Sequence, residues 1–370
     1  MDPFDALVST RDMLWSLIVL GPVGLAMQYF IDPRTDASSA VPEAAIEAAH
    51  ARYRHMASPQ SNTVASLVGW MSPEEHEAHW LSRRFEHGND TLRFKLYIPS
   101  GYNGDPMPMV VMLHGAQQDA DNFAAGTEMN AIAEARGYIV VYPEQSEGAN
   151  PLKCWNWFRP ADRQRESGET AMIAALTREV MTNFNIDDAR VYVAGMSAGG
   201  AMAINLAVVY PDLYAAAASH SGIAFGVADE SLSALCAMND GMGKCRLPGR
   251  SPDKIPARAV PLIVFHGDAD DTVHPRNSDQ IIAMSRLLSV GEDDRQMPAF
   301  THIDNEENGL GHTRHVFNGR DGAPHGEQWI VHGLGHAWSG GSPVGTHTDA
   351  RGPHASKEII RFFGQHPLSL

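Results

Sequence analysis

Beyond residue 98 the chain alternates short apolar runs with longer segments that are predicted to be helical. Short apolar runs bounded by glycine, proline or polar residues are typical of strands buried on both faces of a sheet. Predicted strands span 107–113, 137–142, 189–194, 214–219, 261–265 and 328–331, and predicted helices span 169–183, 277–288 and 355–363, with another beginning at Gly200. This alternation predicts an α/β fold with a mainly parallel sheet and helices on both faces.

Other segments depart from this alternation. Residues 83–87 and 91–98 alternate apolar and polar positions around Gly88-Asn89-Asp90, which predicts an antiparallel hairpin at the start of the sheet. Residues 227–258 and 291–324 are rich in Gly, Pro, Asp and Asn. We expect loops or cap-like insertions near the cleft in both.

The first 78 residues are predicted to form an N-terminal helical extension, including a short helix at 44–56, ahead of a main domain at 79–370. Residues 13–30 carry no charge and are long enough for a membrane anchor, but Gly21-Pro22 interrupts them. The charged residues before them are three aspartates and one arginine, whereas a secretory signal begins with positive charge. A packed helical arm is favoured, and an anchor or atypical signal in 13–30 remains open.

A G-x-S-x-G motif, Gly195-Met196-Ser197-Ala198-Gly199, joins the strand predicted at 189–194 to the helix that follows. Strand, tight turn and helix are the context of a nucleophile elbow, which presents a serine hydroxyl to a cleft. The glycines allow strand and helix to approach closely. A glycine-rich turn with an incidental serine is the weaker interpretation, so Ser197 is the candidate nucleophile.

A serine nucleophile needs a base and a group that orients the base. Three aspartates, Asp268, Asp270 and Asp271, follow the strand at 261–265, where open α/β sheets place their ligands. The spacing H-G-x-x-D-x-x-V, common in α/β-hydrolases, selects Asp270. The other two are expected to form turns or face solvent.

The base is expected in the glycine-rich loop after the last predicted strand, where a histidine can swing toward the serine. His336 is the candidate, and His332 ranks second because its position is compatible with the end of the strand itself. The order serine, aspartate, histidine is that of the α/β-hydrolase fold. In that fold the oxyanion hole takes one N–H from the residue after the nucleophile, here Ala198. The other comes from an early strand-to-helix loop, here Ala116 or Gln117.

Composition restricts the remaining classes of function. The net charge of −16 argues against nucleic-acid binding, since phosphates would repel the chain. A metal enzyme using His325, His332, His347 and His354 is a minor alternative without zincin-like spacing, and we expect neither metal nor cofactor. Among 3 Cys, Cys236 and Cys245 either close a loop or stay reduced. They weakly favour an extracellular or periplasmic location, and a cytoplasmic or membrane-associated one remains open.

Taken together, these segments resemble the poly(3-hydroxybutyrate) depolymerase-type esterases, a family that includes feruloyl and acetylxylan esterases. The resemblance covers about two-thirds of the chain. The matching stretches are 113–115, 118–119, 123–127, 129–130, 142–145, 154–158, 168–169, 191–200, 220–222, 266–270 and 335–338. It implies a Ser197-Asp270-His336 triad and the hydrolysis of carboxylic esters.

Two positions depart from the family pattern. The family usually pairs a cysteine after the His-Gly of the oxyanion loop with the cysteine at 154, but Ala116 stands at the first position, so that disulfide cannot form. Packing must therefore hold the oxyanion loop. At position 354 histidine replaces the family's usual aspartate, and no role is assigned to this change.

The substrate is predicted less sharply than the reaction. Trp338, Trp155 and Gln117 are candidates for contact with the acyl or aromatic part of an ester, while Trp157 is expected in the core. Hydroxyalkanoate polyesters or oligomers are the first expected substrates, followed by feruloyl or acetyl esters of plant polysaccharides. A peptidase on the same fold and a non-catalytic binding protein on a hydrolase scaffold are the remaining alternatives.

Overall fold

The computed structural model describes residues 77–88, 90–247, 258–289, 299–304, 309–319 and 322–368. Nearly all of the predicted N-terminal extension, including 13–30 and the helix expected at 44–56, lies outside these residues. Within the described ranges, no helix is both long and apolar enough to span a membrane.

One large sheet of ten strands organises the described chain. Its strands are β1 (His79–His87), β2 (Asp90–Ile98), β3 (Met107–Leu113), β4 (Ile139–Glu144), β5 (Ile186–Met196), β6 (Ala216–His220), β7 (Leu262–Gly267), β8 (Phe300–Asp304), β9 (His312–Asn318) and β10 (Pro324–Val331). Their spatial order is β1-β2-β4-β3-β5-β6-β7-β10-β9-β8. In this spatial order, all neighbouring pairs from β4 to β10 are parallel. Antiparallel pairs extend both edges, and the predicted hairpin is β1–β2.

Helices cover both faces of this sheet. They are α1 (Ala120–Thr127), α2 (Met129–Arg136), α3 (Gly168–Asn183), α4 (Ala198–Val209), α5 (Ser231–Asp240), α6 (Arg276–Ser289) and α7 (Ala355–Gly364). Buried residues of α3 to α6 pack in one apolar cluster, and those of α1, α2 and α7 pack in another. Every residue of β6 and β7 is buried, as expected for strands covered by helices on both sides. The α/β class predicted from the alternation of segments is confirmed.

The two segments expected to be loop-like insertions are partly regular. The first contains α5, and the second contributes β8 and β9, two antiparallel strands at the sheet edge. The expectation of irregular structure was wrong here because polar residues obscure the strand pattern. An edge strand with an exposed face can carry residues such as Thr301, His302 and His315 without a continuous apolar run.

Position 354 lies at the start of the last helix. His354 is the N-cap of α7, but its side chain makes no capping hydrogen bond, and its Nδ1 is buried without a partner. Its Nε2 lies 3.6 Å from Glu128 Oε2. Burial lowers the pKa of this imidazole, which weakens the ion pair near neutral pH. The histidine thus supplies no side-chain cap, and in this turn the Lys357 N–H bonds to the His354 main-chain carbonyl at 3.0 Å.

We expect His354→Asn to stabilise the protein. Asparagine at an N-cap accepts a hydrogen bond from the first turn, which is worth about 0.5–2 kcal/mol relative to a residue that does not cap. The free energy of unfolding, measured by urea titration, should rise by about 1 kcal/mol. His354→Ala removes the same imidazole without supplying a cap and is the matched control. An equal gain in both variants would show that loss of the histidine, and not capping, is responsible.

Candidate active site

Ser197 occupies a strained turn between β5 and α4. Its backbone has φ 55° and ψ −119°, in the left-handed region that residues other than glycine rarely adopt. β5 ends at Met196 and α4 begins at Ala198, so the serine is the single residue between strand and helix. Its N–H donates to the His220 carbonyl at 2.8 Å, and its side chain is partly exposed. The turn has the strand, positive-φ serine and helix geometry of the nucleophile elbow predicted from the motif.

The glycines of the motif are required by close backbone contacts. A Cβ on Gly199 would overlap the carbonyl of Leu113 at the end of β3, and a Cβ on Gly195 would overlap the carbonyl of Gly199. Gly115 also lies at the elbow, where an added Cβ would be 3.6 Å from Ser197 Cβ. The oxyanion loop after β3 therefore packs directly on the nucleophile turn.

The acid and base predicted from sequence are in contact. His336 Nδ1 donates to Asp270 Oδ2 at 2.7 Å, which leaves Nε2 as the proton-accepting atom of the imidazole. The other oxygen, Oδ1, accepts the N–H groups of Thr272 and Val273 at 3.0 and 2.8 Å. Asp270 is therefore fixed on both of its oxygens.

His266 completes the surroundings of Asp270. It is fully buried, its Nε2–H donates to the Val273 carbonyl at 2.7 Å, and Nε2 also lies 3.4 Å from Asp270 Oδ2. Burial by itself raises the pKa of the Asp270 carboxyl, but hydrogen bonds from His266 and His336 outweigh it, so the pKa falls well below its ordinary value. Asp270 therefore stays ionised and can stabilise an imidazolium at His336.

The competing acid and base form a separate pair. His332 Nδ1 lies 2.9 Å from Asp268 Oδ2, and Asp268 Oδ1 accepts the Gly333 N–H at 2.6 Å. Both side chains are more than 40% exposed, whereas the Asp270 side chain is fully buried. This exposed pair ties the acid loop to the base loop without contacting the Asp270–His336 pair.

We expect Asp270→Asn to lower kcat/KM for an ester by about 10⁴-fold, because the amide cannot hold His336 in the required tautomer. Asp268→Asn is the matched control, since it removes an exposed carboxylate from the same loop and should cost less than about tenfold. Initial rates on a p-nitrophenyl ester measure both. The reverse ranking would transfer the acid role to Asp268.

Two backbone N–H groups next to the nucleophile turn, the candidates for an oxyanion hole, have no acceptor among the described residues. In the loop after β3, the N–H of Gly115 donates to Gln118 Oε1 at 2.8 Å and that of Gln117 to the Leu152 carbonyl at 2.8 Å. No acceptor among the described residues bonds the Ala116 N–H. Ala198 begins α4, so its N–H has no acceptor within the helix. These contacts favour Ala116 over Gln117 as the second donor.

The oxyanion loop is held by hydrogen bonds where the family has a disulfide. All three cysteines are free thiols. Besides the Gln117–Leu152 bond, the Trp155 indole N–H donates to the His114 carbonyl at 3.1 Å. Gln118 Nε2 donates to the Thr346 carbonyl at 3.1 Å and thereby joins this loop to the segment after the base. Packing and polar contacts replace the missing bridge, as the sequence predicted.

The two tryptophans expected to contact substrate are buried. Trp155 and Trp338 are each 1% exposed. The Trp338 ring packs edge-on against Phe123 at 5.5 Å, and its indole N–H donates to Ser356 Oγ at 3.1 Å. Neither ring is accessible to a substrate in this structure, which corrects the expectation that they line the cleft. Gln117 is exposed, and Trp157 is buried as expected.

His220 lies at the candidate site, although no role is predicted for it from the sequence. It ends β6, it is fully buried, and its carbonyl accepts the Ser197 N–H. Its Nε2 accepts the N–H of Ser339, three residues after the base, at 3.0 Å. Residues 220–222 are among the stretches that resemble the family, but the local sequence does not indicate the contact with Ser339. No hydrogen bond links Ser197 to His336 among the described contacts, and such bonds often tighten only when substrate binds.

The histidines of the minor metal hypothesis do not form a metal site within the described ranges. No group of three or more His, Cys, Asp or Glu in these ranges could hold an ion. The contacts around Ser197, His336, Asp270 and the two free N–H groups instead match the requirements of acyl transfer: a nucleophile, a base with its orienting acid, and donors for a developing oxyanion.

Comparison with known proteins gives the same family. Residues 92–292 match the family described as "Esterase PHB depolymerase". The chain is 32% identical to poly(3-hydroxyalkanoate) depolymerase C of Paucimonas lemoignei, over 70% of this chain and 60% of that protein. It is also 32% identical to feruloyl esterase B of Thermothelomyces thermophilus, over 39% of this chain and 48% of that protein. The chain thus spans about half to three-fifths of these relatives.

A solved structure supports the fold. The acetyl xylan esterase from Aspergillus awamori superposes with a TM-score of 0.56 at 19% identity, covering 77% of this chain and 99% of that one. This similarity concerns the fold alone. The family match spans more than half of the sequence and includes the nucleophile elbow and the acid loop. The chain belongs to the PHB depolymerase family of esterases, within the α/β-hydrolase fold.

Proposed function

We propose that this protein is a serine esterase that cleaves carboxylic esters through an acyl-enzyme at Ser197. The observation that carries the proposal is the Asp270–His336 hydrogen bond of 2.7 Å, in which Asp270 is buried, together with the strained backbone of Ser197. Asp270 orients the imidazole, His336 takes the serine proton, and the acyl carbonyl is attacked by Ser197 Oγ. The N–H groups of Ala116 and Ala198 stabilise the oxyanion.

Hydroxyalkanoate polyester or its oligomers are the proposed substrates. The relative with the longest match given above is a poly(3-hydroxyalkanoate) depolymerase, which supports this class over others. Exposed aliphatic side chains also lie on the segments that contact the oxyanion loop. Leu152 is 37% exposed, and its carbonyl is bonded by Gln117, while Val344 is 47% exposed and lies close in sequence to Thr346. Exposed apolar side chains near the candidate site suit an ester substrate of low polarity.

Gln117 is the accessible side chain among those predicted to contact substrate. It is exposed and has a φ of 64°, a strained conformation that recurs at functional sites. We propose that it borders the acyl-binding side of the cleft. An extracellular or periplasmic location suits a polymer that cannot enter cells.

A hydrolysis panel tests the substrate class. Purified protein is assayed with 3-hydroxybutyrate oligomers, methyl ferulate, acetylated xylan and short p-nitrophenyl esters. The proposal predicts the highest kcat/KM on the hydroxybutyrate oligomers. Higher kcat/KM on methyl ferulate or acetylated xylan would assign the protein to the feruloyl or acetylxylan esterases, which are also among its relatives.

Labelling separates an enzyme from a binding protein on the same scaffold. A serine-directed phosphonate probe should form an adduct on Ser197, located by peptide mass spectrometry. Ser197→Ala is the matched control and should remain unlabelled. Protein that binds oligomers but forms no adduct, and hydrolyses no ester of the panel, would refute the esterase proposal.

A further inference from the structure

His220 contacts both halves of the catalytic machinery. Its main-chain carbonyl accepts the N–H of Ser197 at 2.8 Å, and in the β5–β6 pairing it lies opposite Met196, the residue before the nucleophile. Its side-chain Nε2 accepts the N–H of Ser339 at 3.0 Å, although 119 positions separate the two in sequence. One residue at the end of β6 therefore links the elbow to the loop that carries His336.

The hydrogen bonds of His220 fix its tautomer. Because Ser339 N–H is a donor, Nε2 must be the unprotonated acceptor, and the ring proton resides on Nδ1. Nδ1 lies 3.2 Å from Ser221 Oγ, which accepts a hydrogen bond from Nδ1–H. Burial, reinforced by the charges of His266 and His336, lowers the pKa of His220 to about 3. The imidazole thus remains neutral, and the acceptor persists at the pH values at which esterases work.

Aromatic contacts fix the plane of the ring. His220 stacks on Trp338 with ring centroids 5.0 Å apart and an interplanar angle of 23°, and on Phe265 at 5.8 Å and 9°. Trp338 lies two residues after the base, and Phe265 immediately precedes His266, which contacts the catalytic acid. The ring is therefore packed against neighbours of both the base and the acid.

We propose that His220 is a positioning residue that holds the base loop in register with the nucleophile, through the neutral acceptor it offers to Ser339. This proposal rests on the esterase function of Ser197, Asp270 and His336. His220 does not touch substrate or exchange protons with it. It acts by fixing where the His336 imidazole stands relative to the serine, and a displacement of about 1 Å at such a distance can cost about 10²-fold in rate.

Two substitutions at His220 test the hydrogen-bond acceptor and the aromatic ring separately. His220→Phe keeps an aromatic ring for stacking but leaves the buried Ser339 N–H without an acceptor. His220→Gln loses the ring but offers an amide oxygen at a reach similar to that of Nε2. We expect His220→Phe to lower kcat about 100-fold with KM changed less than about twofold, and His220→Gln to retain kcat within about tenfold. A purely packing role predicts the opposite order.

A third variant keeps the test decisive if His220→Phe does not fold. Ser221→Ala removes the partner of Nδ1–H and weakens the tautomer preference while preserving ring and acceptor. We expect it to lower kcat about tenfold, with an unchanged far-ultraviolet circular dichroism spectrum. Thermal unfolding of each variant shows which of them remain folded at the assay temperature.

The outcomes distinguish this inference from the proposed function. If the wild-type protein hydrolyses no ester and forms no phosphonate adduct, the esterase proposal itself fails. If the wild type is active and folded His220→Phe has the same kcat, or His220→Phe is more active than His220→Gln, only the positioning role of His220 is refuted. An unchanged kcat in folded Ser221→Ala would likewise count against the fixed tautomer.

Discussion

Ser197→Ala is expected to lower kcat on an activated ester by about 10⁴–10⁶-fold, and His336→Ala by a similar factor. The alanine at 197 removes the attacking oxygen, and the alanine at 336 removes the acceptor for its proton. Because the residues act as a unit, the double variant should be about as impaired as either single one. Steady-state kinetics with a p-nitrophenyl ester, on protein free of contaminating esterase, gives the three values.

Both variants should remain folded. Ser197 Oγ and the His336 ring are partly exposed at the cleft, so removing them creates no large buried cavity. Circular dichroism and thermal unfolding provide the control for each preparation. Full activity in folded Ser197→Ala would rule out the acyl-enzyme at this position. Full activity in folded His336→Ala would shift the base role to another histidine, with His332 the first alternative.

Gly199→Ala is expected to prevent the elbow from forming. The added methyl group would overlap the backbone carbonyl of Leu113, and backbone at the end of a central strand cannot move as a side-chain tip can. Overpacking of this kind typically costs about 1–3 kcal/mol and more when main chain must shift. We expect a free energy of unfolding lowered by at least about 3 kcal/mol, or no soluble protein, in urea titration of the variant.

Gly335→Ala is the matched control for this prediction. Gly335 immediately precedes the base, its φ is not positive, and an added Cβ would meet nothing within 4 Å. The same chemical change should therefore be tolerated there, with stability changed by less than about 1 kcal/mol. Equal destabilisation at positions 199 and 335 would contradict the role assigned to the contact between α4 and β3.

Much of the candidate site could be predicted because each candidate residue lies in a short local sequence pattern. The apolar runs that became β3, β5, β7 and β10 each end at the sheet edge where a candidate site residue follows. The H-G-x-x-D spacing selected Asp270 from three neighbouring aspartates, and the contact with His336 agrees with that choice. Local sequence suffices where a single turn fixes the position of a side chain.

Long-range packing limited the remaining predictions. Neither α1 nor α2 is predicted from the sequence, and Glu128, which separates them, adopts φ 54° although it is not glycine. Trp155 and Trp338 are predicted at the cleft from their place beside candidate site segments. A side chain next to such a segment can face either the cleft or the core, and its packing against neighbours decides which. His220 shows the same limit, because its partner Ser339 is distant in sequence. Whether a polar side chain is buried depends on contacts between residues that are distant in sequence, and a local sequence pattern does not show these contacts.

The free thiols have a consequence for how the protein responds to reducing agents. Cys154, Cys236 and Cys245 account for every cysteine of the chain, and each is unpaired. Within the described fold no disulfide joins any two of them, so a reducing agent has no covalent constraint to remove there. The loop after β3 is held by non-covalent contacts, which urea weakens and dithiothreitol leaves intact.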